Sequence, residues 1–180
     1  MYKRQALGVA GRLLPHPPNF TPMAAIALFA GFIFMKRYMA VLAVVVTMLL
    51  TDYFAFGYLS PEWFASKSMW VVYLTLLFPI VFKNYLQKKL GLFRVASAAL
   101  ASSTVFFVAT NFAVWAFTPM YEKTWEGLAL CYTMAIPFFQ NTIAGDLIWS
   151  GVIFSIYYLL SSYSNLRVLK QKNSLIYSSN

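Results

Sequence analysis

The chain has 180 residues, of which 61% are hydrophobic and only 11% charged, against about 25% charged in an ordinary soluble domain. A soluble fold of this size needs far more polar surface around its core, so soluble, disordered and disulfide-scaffold classes are excluded, and the single cysteine, Cys131, makes no intrachain disulfide. The net charge of +9 comes from 14 Lys and Arg against 5 acids, and the basic residues stand in short segments between apolar runs, a pattern that encodes membrane topology rather than nucleic-acid binding.

The predicted architecture is all-α: a single polytopic membrane domain over 1–180 with about six helices. Long unbroken apolar runs, with no ten-residue alternating strands, speak against a barrel. The first element is a short N-terminal helix within 1–14, whose apolar stretch Ala6–Leu14 ends at Pro15, Pro17 and Pro18. It is too short to cross a bilayer of about 30 Å at about 1.5 Å per residue. Next comes a proline-rich loop over 15–22, Pro15-His16-Pro17-Pro18-Asn19-Phe20-Thr21-Pro22. Four prolines make it stiff and extended. It serves either as a helix stop with an N-cap at Asn19 or Thr21, or as a binding loop that offers His16, Asn19 and Thr21.

Five apolar runs approach the length of a span: Phe20–Met35, Tyr38–Leu59, Trp63–Phe82, Val95–Phe117 and Asn141–Tyr163. Small residues (Ala24, Ala27 and Gly31 on one run, Ala98, Ala101 and Ser102 on a later one) predict close helix approach. Gly127–Phe139 is short and carries Pro137, so it is expected to be an outer re-entrant or surface helix and not a span. The tail 164–180 is polar and basic.

The basic residues fix the orientation. If the N-terminal helix counts as a span and Gly127–Phe139 does not, Lys3, Arg4, Lys36, Arg37, Lys83, Lys88, Lys89, Arg94, Arg167, Lys170 and Lys172 are cytoplasmic, and only Arg12, Lys67 and Lys123 are outside. The opposite assignment splits the same residues eight to six. The positive-inside rule selects the first, with both termini and the tail cytoplasmic, in the cell membrane.

That orientation puts all five acids in the outer half, with Asp146 about 8 Å below the outer end of a last helix beginning at Asn141. A carboxylate at mid-membrane costs about 2.5–3.5 kcal/mol, so it faces a cavity or a partner. Asn111 and Trp115 lie near the outer end of their helix. Tyr121, Trp125, Tyr132, Phe138 and Asn141 gather around the expected helix break, a common setting for a transport site. We therefore expect His16, Asn19, Asp52, Asn111, Trp115, Tyr132, Asn141 and Asp146 to converge on one outward-opening cavity, joined by Thr21, Tyr121, Trp125 and Phe138. The competing expectation is that these groups pair off as structural glue. Neither a cofactor nor a protein-held metal is expected, His16 and Cys131 being the isolated candidates for metal ligation.

The order of elements resembles the substrate-binding (S) components of energy-coupling-factor (ECF) vitamin transporters. The motifs that carry the resemblance are Pro22-Met23-Ala24-Ala25-Ile26-Ala27-Leu28-Phe29-Ala30-Gly31, Thr51-Asp52, and the element from Pro137 through Asn141 to Gly145. The proline loop and Thr110-Asn111-Phe112-Ala113-Val114-Trp115 also resemble an uncharacterised family of small bacterial membrane proteins described as transporters, over roughly residues 12–155. The resemblance implies a six-helix bundle whose outer pocket takes up a small vitamin- or cofactor-like molecule. The chain has no Gly-x-x-x-x-Gly-Lys-[Ser/Thr] loop, so energy would come from a membrane coupling subunit with ATPases, or the chain would act alone as a facilitator. The expected partners are thus a small-molecule substrate, the lipid bilayer and that coupling module. The alternatives are a ligand-free membrane scaffold, or an intramembrane enzyme using Asp52 and Asp146. Asp52-Tyr53 and Ala144-Gly145-Asp146 do not reproduce the aspartyl-protease motifs, and no catalytic residue is assigned.

Overall fold

The computed structural model describes residues 19–56 and 66–178 of the chain. The expected N-terminal helix, His16 and the first half of the proline loop lie outside the described residues. The secondary structure of the described residues is all helical, without strands, in five runs. These are α1 (Met23–Ile33), α2 (Arg37–Phe56), a run made of α3 (Lys67–Leu77), a 3-10 turn (Phe78–Phe82) and α4 (Lys83–Lys88), then α5 (Leu92–Phe117) and α6 (Trp125–Ser178). Four stretches, Arg37–Phe54, Lys67–Lys88, Leu92–Phe117 and Trp125–Tyr163, are long and apolar enough to cross a membrane.

α1 is the centre of the bundle. Its 11 residues make a helix of about 16 Å, half the depth of a bilayer, and it touches every other helical element. It can do so because Ala24, Ala25, Ala27, Ala30 and Gly31 keep its surface low, and all five are buried. Pro22 stands at its N-cap, where a missing N–H costs nothing, and the Ile26 N–H donates to the Pro22 carbonyl at 2.9 Å. Neither Asn19 nor Thr21 caps it. Where α1 crosses the 3-10 turn, a Cβ on Gly31 would lie 3.1 Å from Ile80 Cα. Gly31→Val should therefore push the two elements apart at a cost of about 1–3 kcal/mol. A thermal midpoint equal to that of the parent chain would show that the crossing has slack.

The other helices bury one stripe each. On α2 the buried positions are Ala40, Val44, Thr47, Met48, Thr51 and Asp52, the spacing of one helical face. Leu42, Val46 and Leu50 on the opposite face are exposed, as lipid-facing residues should be. Pro79 starts the 3-10 turn, since it has no N–H to give to the α-helical ladder. On α5 the buried face is Val95, Ala98, Ala99, Ser102 and Ser103. Phe29 and Phe32 of α1 pack edge-on or tilted against Phe154 and Tyr157 of α6, with centroids 5.2–5.7 Å apart.

The two ends of the bundle differ in charge. At one end the Lys83 ammonium donates to the Met35 carbonyl, Gln87 Nε2 to the Phe32 carbonyl at 2.8 Å, and Arg94 Nη1 to the Tyr85 carbonyl at 2.9 Å. At the other end Lys123 closes the turn between α5 and α6. Its ammonium donates to the carbonyls of Trp115 and Thr118, the latter at 2.5 Å, filling acceptors left open at the C-terminus of α5.

The structure corrects the reading of Gly127–Phe139. The segment is neither re-entrant nor a surface helix: it forms the first part of α6, a single helix of 54 residues with Pro137 inside it. A proline removes one ladder bond, but α5 packs against α6 on both sides of it. Before it, the Tyr132 hydroxyl donates to the Val108 carbonyl at 2.7 Å and the Cys131 thiol to the Asn111 carbonyl at 3.4 Å. After it, Phe139 stacks on Phe107 with centroids 4.3 Å apart. Helix packing compensates for a proline in a membrane helix. The absence of a polar loop before Asn141 has the same explanation, because the chain is one helix there.

Candidate functional site: a polar cavity in an apolar bundle

A cavity of about 40 Å³ lies where the loop before α1 meets α3, α5 and α6. Its polar lining is Asn19 and Thr21 from the loop, Thr75 from α3, Ser102 from α5, and Thr142 and Asp146 from α6. Ala24, Leu76, Pro79 and Phe106 complete the wall. Ser102 lies about 15 Å from the start of α5 and about 22 Å from its end, so the cavity is near the middle of the bundle. Asp146 corrects the expected depth accordingly. Because α6 begins at Trp125, the carboxylate is about 31 Å along that helix, not one turn below its outer end.

Local sequence explains the shape. Asn19 has φ 64°, a left-handed conformation that asparagine tolerates better than most residues, and it turns the chain towards α1. Phe20 then lies against α6, with its ring 6.4 Å from that of Trp149. A Cβ on Gly145 would be 3.1 Å from Phe20 Cα, so the glycine before Asp146 lets the loop approach the carboxylate closely. Gly145→Val should lift the loop. The expected result is a faster reaction of a cysteine placed at Thr21 with a small soluble maleimide, and an unchanged rate would show that the loop is not seated on Gly145.

Asp146 is only 4% exposed. The Ser103 Oγ stands 2.6 Å from its Oδ2 and 3.0 Å from the Ala99 carbonyl. This geometry serves both charge states. An ionised carboxylate accepts the Ser103 hydrogen. A protonated one can donate to Ser103, which then donates to Ala99. Three of the four lining hydroxyls have already spent their hydrogens: Thr75 donates to the Val71 carbonyl at 2.8 Å, Ser102 to Ala98 at 2.7 Å and Thr142 to Phe138 at 2.9 Å. Towards the cavity these three can offer only lone pairs. Four residues beyond Asp146, on the same face of α6, Ser150 is buried and its Oγ has no hydrogen-bond partner.

Of the residues expected to converge, the cavity brings together Asn19, Thr21 and Asp146. Asp52, 2% exposed, accepts from the Tyr73 hydroxyl across α2 and α3. The two aspartates are thus engaged by different helix pairs. Asn111 donates to its own helix at the Phe107 carbonyl, 2.7 Å away, and Trp115 Nε1 donates to the Glu122 carbonyl at 2.9 Å. Tyr132 holds α5 as described. Tyr121 is half-buried in the turn that Lys123 closes, Trp125 is 82% exposed at the start of α6, and Phe138 is exposed. Asn141 is half-buried and lies about 140° around the helix from Asp146 at 3.6 residues per turn.

The sequence reading missed Thr75, Ser103 and Thr142, and took Ser102 only as a small residue. Thr142 was legible from spacing, since it precedes Asp146 by four and shares its face. Ser102-Ser103-Thr104 is a run of hydroxyls inside an apolar helix, but single hydroxyls more often bond their own backbone than a ligand. Among the described residues no three His, Cys, Asp or Glu side chains are grouped to hold a metal ion. No curated protein and no solved structure matches the chain. Residues 5–169 match the profile of a family of unknown function, DUF6580, and the chain belongs to that family.

Proposed function

We propose that this protein is the substrate-binding subunit of a membrane transporter, which takes up a small vitamin- or cofactor-like molecule at the Asp146 cavity. The observation that carries the reading is the gathering of six polar side chains from four segments in the middle of an apolar bundle. Polar groups in a membrane are expensive unless they serve a ligand or one another. The resemblance to ECF S components supports the reading, with six helices, both termini cytoplasmic and energy supplied by a separate coupling module. A cavity of about 40 Å³ is far below the about 300 Å³ at which pockets enclose such ligands. In this reading the loop 19–22 is the lid, and it must lift off Gly145 to admit the substrate.

The test is native mass spectrometry of the chain purified in mild detergent. A small organic molecule should be retained by the parent protein and lost from Asp146→Asn at near-normal expression. Retention by the variant, or no adduct on either protein, would overturn the proposal. A second reading, a ligand-free scaffold, is favoured by the way Asn111, Trp115 and Tyr132 bond to backbone carbonyls. It predicts no adduct, and destabilisation when those residues are truncated.

A further inference from the structure

The geometry points to a sodium ion bound between the Asp146 carboxylate and the side-chain oxygens of Asn19, Thr21, Thr75, Ser102 and Thr142. This inference deepens the transport reading and rests on it: the cation would be the coupling or gating ion of the same site.

Three observations converge. The first is chemical. With the Thr75, Ser102 and Thr142 hydrogens committed to the carbonyls of Val71, Ala98 and Phe138, these hydroxyls can only accept. Added to a carboxylate, they favour an occupant that brings positive charge or donors. The second is charge. Asp146 is the one ionisable side chain in the described lining, which contains no Lys, Arg or His. One carboxylate balances one positive charge, which suits a monovalent ion better than a divalent one. All the donors are hard oxygens, which suit alkali and alkaline-earth ions and not soft metals. The third is size. A cavity of about 40 Å³ holds an ion with a water or two, but not an organic substrate.

The position of the loop follows. Asn19 and Thr21 stand on the loop that Gly145 admits to α6. An ion bridging them to Asp146 would hold that loop down. Loss of the ion would release it. The same oxygens would therefore sense the ion and control access to the cavity.

The test uses the full chain in neutral detergent, freed of sodium, with NaCl replacing N-methylglucamine chloride at constant ionic strength. The thermal midpoint should rise by several degrees and saturate, as expected for a ligand of the folded state. KCl should give less than a tenth of the rise. Asp146→Asn should abolish it. Thr142→Val and Ser102→Ala, which leave the helices intact, should raise the half-saturating concentration tenfold or more, so the inference stays testable if Asp146→Asn fails to fold. Tyr132→Phe, outside the cavity, should leave the response unchanged. Equal rises in NaCl and KCl, or a sodium response that survives both Thr142→Val and Ser102→Ala, would overturn the inference. A sodium response with no organic adduct would uphold the ion and overturn the vitamin reading, while an organic adduct with no sodium response would do the reverse.

Discussion

A cysteine in place of Lys36 or Lys88 is expected to react with a membrane-impermeant maleimide only after the cells are opened, whereas one in place of Lys123 should react in intact cells. The effect is all or none, because the reagent either reaches the residue or meets a bilayer. The expectation joins two independent arguments. Basic residues favour the cytoplasmic side, and the fold gathers Lys36, Lys83 and Arg94 at one end of the bundle through their contacts with Tyr38, Met35 and Tyr85. Lys67 and Lys123 lie at the other end, over Phe117 and Trp115. Cys131 is buried and should give little background. Labelling of position 88 but not 123 from outside would invert the whole arrangement and place the cavity's loop on the cytoplasmic side.

Phe154→Ala should be among the most destabilising single changes in the chain, at about 3–5 kcal/mol. In lipid there is little hydrophobic drive to bring helices together, so the loss is mainly packing. Phe154 is 5% exposed and meets Phe29 and Phe32 at 5.5 and 5.6 Å, which ties α6 to the central α1. α1 has too few residues to hold its place without such neighbours. Tyr158→Ala, at a position 65% exposed, is the control and should cost little. Unfolding by SDS in mixed micelles measures both. Equal midpoints for the two variants would show that the aromatic cluster does not hold α1.

The membrane helices were legible because twenty-residue apolar runs have few other uses, and the long runs at 38–59 and 95–117 match α2 and α5 closely. Pro137 misled because a proline read alone is a break, whereas Phe107 and Val108 from the partner helix make the continuous form the better packed one. Asp146 was recognised as unusual but placed at the wrong depth, an error inherited from the helix start. Asn111, Trp115 and Tyr132 share the residue types of binding sites, and the sequence alone could not show that each donates to a backbone carbonyl. The site's hydroxyls carried no strong signal because serine and threonine are ordinary small residues in membrane helices.

α6 runs unbroken from the cavity to Ser178. From Asp146 that is 32 residues, or about 48 Å of rigid rod. The last contacts described above are those of Phe154 and Tyr157 with α1, and beyond Tyr157 the helix continues for 21 residues, about 31 Å. A tilt of 10° about that aromatic contact would carry the far tip through about 5 Å, one helical turn. A shift of packing inside the bundle is thereby carried along the helix, well beyond its apolar part.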